Sequence, residues 1–195
     1  MGRLELSDVL NFFEYEKVRG ERRSRVIELK RARRVAVGPH LSFVFENRDT
    51  LLFQIQEMCR VERITDDAKI QDELDVYNAL LPGPGELSAT MFIEIEDKDA
   101  IQPLLDRFMG IDVGEHVSFQ VGSEPPVVGI FEEGHSDEEK GKLSAVHFVR
   151  FRFPAPAARA FRDASVHLVV DHTAERARAE LSPETKGELV RDLQG

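Results

Sequence analysis

The segment from Leu41 to Pro82 restricts the possible folds more than any other. It reads LSFVFENRDTLLFQIQEMCRVERI and then TDDAKIQDELDVYNALLP. In LSFVFE, Leu41, Phe43 and Phe45 alternate on one face, which predicts a strand. Asn47 or Asp49 can then cap a helix over 48–63, because either side chain accepts from the free amides of a first turn. Leu51, Leu52, Ile55, Met58 and Cys59 follow at the three-to-four spacing of one helix face. Thr65-Asp66-Asp67 opens a second helix over 67–80, with acid in the first turn where the helix dipole favours it. Its stripe is Ile70, Leu74, Tyr77 and Leu81, and PGPGE ends it. A strand followed directly by two such helices points to a sheet with helices laid on it.

The rest of the chain supplies the sheet. Strands are predicted near 87–95, 116–121, 127–131, 143–153 and 165–171, joined mostly by turns or short helices. KDAIQPLLDRFMG reads as a short helix stopped by Gly110, and PAPAARAF as a proline-punctuated connection. EEGHSDEEKGK reads as a solvated acidic loop, with His135 in solvent. Ser182-Pro183-Glu184 carries both a cap and a first-position proline for a last helix. The expected fold class is α+β, a mainly antiparallel sheet with helices packed on one face, rather than a series of βαβ units. At 195 residues the chain is expected to be one domain, 1–195, with a charged N-terminal helical segment over about 1–34. In that segment Ser7 or Asp8 would cap a short helix through Phe12, Phe13 and Glu16, and GERRSRVIELKRARR would form a second.

Composition excludes several classes of function. Cys59 is the only cysteine, so there is no internal disulfide and no cysteine-rich zinc or iron–sulfur site. On an apolar helix face it reads as a buried thiol. No run of about 18 apolar residues exists, so no membrane-spanning helix is expected. Met1 to Leu10 is too short and charged for a signal peptide, which makes the cytoplasm the expected compartment. Net charge is −10, yet residues 1–36 carry ten Lys/Arg against six Asp/Glu, leaving −14 for the remainder. Such an acidic chain is not expected to coat nucleic acid, although a local basic face remains. Neither a dinucleotide fingerprint nor a phosphate loop is present, and no cofactor or metal is expected.

Polar residues stand on or beside the apolar stripes of the two central helices. Glu46, Arg48, Glu57, Glu62, Gln71, Glu73 and Asn78 form a candidate polar cluster. One reading is a carboxylate site that binds a metal or moves a proton, as in a metal-assisted hydrolase using Glu46, Glu62 and Glu73. The other is structural, with Glu62 paired to Arg63 or Arg48, Glu73 to a neighbouring arginine, and at least one Glu–Arg bond among Glu46, Arg48, Glu62 and Glu73. A di-iron bundle is excluded, because its Glu-x-x-His motifs are missing from both helices. His167, Asp171 and His172 form a second candidate site. On a strand, however, His167 and Asp171 share a face and His172 points away. His147 alternates with core positions.

FENRDT, LFQIQEM, IQDELDVYN, LLPGPGELSAT, SAVHFVRF and the ending VVDHTAERARAEL resemble an uncharacterised bacterial family, domain of unknown function 3501. The resemblance covers nearly the whole chain and carries no assigned reaction. Members of that family tend to be encoded beside rubrerythrin-like and cysteine-rich iron–sulfur proteins. The resemblance therefore implies a non-enzymatic accessory or binding protein for a redox partner, docking through the basic helix, the acidic loop or a sheet edge. A metal-assisted hydrolase is the alternative, and a nucleic-acid-binding module the second alternative. A homodimer is a further expectation. The strand LSAVHFVRFRF carries Val146, Phe148, Arg150 and Arg152 on one face, which needs a cover from either helix 182–193 or a second subunit.

Overall fold

The computed structural model describes residues 2–132, 136–137 and 142–194. In chain order the elements are α1 (Phe12–Ala32), β1 (Arg34–Val37), β2 (Leu41–Glu46), α2 (Arg48–Glu62), α3 (Asp67–Leu80) and β3 (Glu86–Ile93). There follow α4 (Ile101–Arg107), β4 (Val117–Val121), β5 (Val127–Phe131), β6 (Ser136–Asp137), β7 (Lys142–Leu143) and β8 (Val146–Arg152). The chain ends with α5 (Ala155–Ala160), β9 (Val166–Asp171), β10 (Arg176–Glu180) and α6 (Pro183–Gln194). Most of the acidic loop expected over 132–142, His135 included, lies outside the described residues.

Eight strands form one sheet in the order β1-β2-β3-β8-β5-β4-β9-β10, and every neighbouring pair is antiparallel. The fold is α+β. The sheet curls until β1 touches β9 and β10, but no ladder joins them. The result is a nearly closed barrel, a shape that leaves little free edge.

Alternation sorts the side chains. Phe43 and Phe45 of β2, Met91 of β3, Phe119 of β4, Phe151 of β8 and Leu168 of β9 all enter one interior cluster. Phe119 sits at its centre, with ring centroids 4.8 Å from Phe151, 5.4 Å from Phe153, 5.7 Å from Phe45 and 5.9 Å from Phe161. These edge and tilted contacts fill the lumen at the ring geometries aromatics prefer. β5 reaches this packing only because Gly129 has no side chain. A Cβ there would meet Val149 at 2.7 Å and the Phe151 ring at 3.0 Å.

Helices α2 and α3 lie on the outside of the barrel against β2 and β3, burying a second cluster of Leu4, Leu51, Ile55, Cys59, Leu74 and Leu80. That is why β2 is buried on both faces along its whole length. Asn47 caps α2 through the Thr50 amide at 3.0 Å, and Asp66 caps α3 through the amides of Ala68 and Lys69.

Four sequence expectations need correction. The N-terminal segment forms one continuous 21-residue helix capped by Asn11, since the exposed Gly20 does not interrupt it. The strand expected over 143–153 divides at Ser144 and Ala145 into β7 and β8. PAPAARAF contains the short helix α5 after Pro154. Helix 182–193 does not cover the outer face of LSAVHFVRFRF. Instead α6 packs Leu189 and Leu193 into the barrel cluster, at the end where it meets β3 and α1. The β8 outer face takes a different partial cover. Arg150 donates to the Leu81 carbonyl at 2.9 Å and the Ala79 carbonyl at 2.5 Å at the end of α3, while Val146 stays exposed.

Candidate functional site

The polar residues of the two central helices do not converge on one point. Several of them hold the N-terminal arm and α1. Asn78 bonds the Leu4 backbone in both directions, accepting from its amide at 2.8 Å and donating to its carbonyl at 2.9 Å. Gln56 does the same for Leu10, at 2.7 and 3.1 Å. Arg48 pairs with Asp8 at 2.6 Å. Glu57 takes both forks of Arg19 at 2.8 Å and the Tyr15 hydroxyl at 2.6 Å. Arg19 holds the Glu57 carboxyl below its ordinary range, and burial together with Glu57 pushes the Tyr15 hydroxyl far up. Gln71 bonds the exposed Asp75.

The carboxylates proposed for metal chemistry are separated or already occupied. Glu46 is buried on the outer face of β2. It accepts from Thr50 Oγ1 at 2.5 Å and Thr90 Oγ1 at 2.7 Å, one hydroxyl per oxygen. Its partners are hydroxyls, not Arg48, so the expected Glu–Arg bond within Glu46, Arg48, Glu62 and Glu73 is replaced by Glu–Thr and Arg–Asp pairs. Glu62 is exposed. Glu73 is half-buried near Cys59 and Tyr77. Burial and then Glu62 push its carboxyl up, while burial and then Glu73 push the Cys59 thiol up. A thiol raised in this way is a poor nucleophile. Among the described residues no group of three or more His, Cys, Asp or Glu is arranged to hold a metal ion.

His167, Asp171 and His172 also part company. His167 and Asp171 lie on the outer face of β9, and the Asp171 carboxylate pairs with Arg176 at 3.0 Å. His172 turns inward and is only 4% exposed.

That inward turn leads to the densest unusual chemistry in the molecule, at the barrel end opposite α6. Here α4 and the chain after it close the opening with Leu104, Leu105, Phe108 and Ile111. His172 stacks on Phe108 with centroids 5.9 Å apart and meets His116 edge-on at 4.8 Å. His172 Nε2 lies 3.3 Å from the Met109 carbonyl, and its Nδ1 accepts from the Ala174 amide at 3.2 Å. His116 Nδ1 faces the Asp171 carbonyl at 2.8 Å. His147, fully buried, lies 3.6 Å from Asp112 and reaches the Ser144 carbonyl at 2.7 Å.

His40 completes the group from the β1–β2 turn. Its Nδ1 lies 2.7 Å from Glu175 Oε2, and Glu175 is buried with only 6% of its side chain exposed. Gly38 makes room for that carboxylate. It adopts φ +67, and a Cβ there would lie 2.0 Å from Glu175 Oε1. The ring of His40 borders a cleft of about 460 Å³ between the β2–β3 end and α4, lined also by Glu94, Glu96, Asp97, Leu104 and Arg107. Sequence reasoning missed His40, His116 and Glu175. The only local signal was the Gly38-Pro39 turn, because His40 and Glu175 lie 135 residues apart.

Among the described residues no helix is long and apolar enough to cross a membrane. No curated protein matches the chain. A crystal structure from Burkholderia pseudomallei K96243, described as a novel protein of unknown function, is similar throughout. It shares 34% sequence identity with a TM-score of 0.91, covering 98% of this chain and 100% of that one. The model of a family described as protein of unknown function, DUF3501, matches residues 3–193, and the chain belongs to that family.

Proposed function

We propose that this chain is a non-enzymatic binding protein that docks an acidic partner on the outer face of α1. One observation carries the reading. α1 runs for 21 residues yet buries only Tyr15 and Val26. Its outward side presents Phe13, 76% exposed, and Ile27, 49% exposed, among Arg23, Arg25 and Arg31. Isolated helices are marginal and most helical stability comes from packing, so a long helix with so little buried has a surface to offer. The helix is also held firmly for that purpose. Glu57 grips Arg19 and Tyr15 near one end, and Arg33 anchors the other. The filled barrel interior supports a surface role over a ligand carried in the lumen.

The resemblance described above suggests a rubrerythrin-like or iron–sulfur protein as the partner. The test is affinity capture from the native host with the wild-type chain and a Phe13→Glu, Ile27→Glu, Arg23→Glu variant. All three positions are exposed, so the variant should fold normally. Recovery of such a redox protein by the wild type and not by the variant is the expected result. Equal recovery by both, or recovery by neither, overturns the reading.

A further inference from the structure

The histidine-lined end of the barrel has a property that the docking face does not need. The chain over 98–116, which carries α4, is tied down by imidazoles from three other parts of the fold. His172 binds the Met109 carbonyl, His147 approaches Asp112, and His40 lies edge-on to Phe108 with centroids 6.0 Å apart. The same segment forms one wall of the cleft beside His40, through Leu104 and Arg107.

We propose that residues 98–116 form an acid-sensitive latch over this end of the barrel, with His172, met edge-on by His116, as its titrating element, and that acid opens the adjoining cleft. His172 is held in the neutral form by its own bonds. One nitrogen donates to the Met109 carbonyl and the other accepts from the Ala174 amide. A protonated ring has two donors, so the Ala174 amide would lose its acceptor and face a hydrogen instead. The added charge would also sit in a buried site beside a second imidazole. Burial, and then His116, hold His172 below the ordinary histidine value of 6.5.

The surrounding charges do not cancel this effect. Glu175 holds His40 through Oε2 and has no hydrogen-bond partner at Oε1 among the described residues, and Asp171 turns outward to Arg176. Asp112 faces His147. His40 and His147 each stand beside one of these carboxylates, whereas His172 has a carbonyl, an amide and a second imidazole for neighbours. Opening on acidification is therefore assigned to His172, with His116 beside it. The sign follows from linkage: a base with a lowered folded-state pKa takes up protons when it is released. Its contribution is complete above about pH 6.5 and is lost as pH falls toward the folded value. Each unit of depression shifts the opening equilibrium about tenfold.

Hydrogen exchange over residues 101–113 of the full chain tests this, at pH 7.5 and pH 5.0 and corrected for intrinsic rates. Residues 86–93 of β3 serve as the internal reference. The expected result is a loss of protection over 101–113 at pH 5.0 while β3 is unchanged. The loss should disappear in His172→Gln, whose amide can donate and accept but does not titrate, and shrink in His116→Asn. Equal protection at both pH values overturns the latch. So does a parallel loss in β3, which would be global unfolding. An undiminished pH response in both variants would assign the effect to another group and overturn the proposal equally.

Discussion

The two ends of the barrel are closed by opposite chemistries. At the α6 end the closing group is a permanent cation. Arg33 has no exposed side chain, donates to the Phe45 carbonyl at 2.8 Å and the Glu46 carbonyl at 3.3 Å, and pairs with Asp192 and Glu188 from α6. Burial pushes the Asp192 carboxyl up, and Arg33 pulls it back. At the α4 end the closing groups are imidazoles packed about Phe108, with His172 stacked on it and His40 edge-on, and burial holds His172 below the ordinary histidine value. A guanidinium stays charged at every physiological pH, so the α6 end is fixed. An imidazole changes charge near neutrality, so the α4 end can respond to its surroundings. One sheet thus carries a rigid seal and a conditional one.

The largest expected effect separates the two seals. Arg33→Met should cost about 3–5 kcal/mol in chemical denaturation, because Asp192 and two carbonyls are left buried without their cation. The double variant Arg33→Met, Asp192→Leu should recover most of that loss, as removal of both charges leaves none uncompensated. If the single variant costs under about 0.5 kcal/mol, the α6 end is not sealed by charge. The next effect lies at the other end. Gly38→Ala should cost about 1–2 kcal/mol for a side chain at positive φ, plus the displacement of Glu175 from His40. Histidine NMR should show the His40 resonance moved and that of His167, on the outer face of β9, unmoved.

A smaller effect is expected in the helical layer outside the barrel. Asn78→Ala removes both bonds to the Leu4 backbone, worth about 1 kcal/mol each at most in net stability. Limited trypsin digestion should then cut near Arg3 faster, while β3 keeps its exchange protection. Simultaneous loosening of the barrel would show that arm and barrel are one cooperative unit. The smallest effect belongs to the exposed Arg176–Asp171 pair, where Arg176→Ala should change stability by less than about 0.5 kcal/mol.

The difference between the ends also explains what the sequence could and could not disclose. The strands and helices of the middle region were legible because their signals are local. LSFVFE became β2 over its full predicted length, and α2 and α3 begin where Asn47 and Asp66 cap them. β10 was illegible. Its inward residues, Ala177 and Ala179, are too small and its other residues too charged to mark a strand by alternation. The near-closure of the sheet was illegible for the same reason, since β10 is the strand that meets β1. Among the polar residues, the helical segments located Glu57 and Asn78, and the end of LSFVFE located Glu46, but not their partners. A stripe position records that a polar side chain enters an interface. It does not record whether a backbone arm, a threonine or a guanidinium awaits it. Arg33 sat in the basic run with nothing to distinguish it from its exposed neighbours Arg31 and Arg34.

The open seam between β1 and β10 has a consequence for how the chain is made. β1 is finished by Val37, but the strand it meets begins at Arg176, and the ion pair beside it joins Arg33 to a residue 159 positions later. During synthesis the first hairpin and its two covering helices can assemble early, from near neighbours. The barrel cannot round off until β10 and α6 have been made. Contacts of such long sequence separation form slowly, because loop closure must come before any gain from packing. Until then β1 presents a bare edge of the kind that invites pairing with another chain. A nascent chain halted before Arg176 would therefore be a half-rolled sheet, and exposure to misassembly is concentrated in the interval before β10 is made.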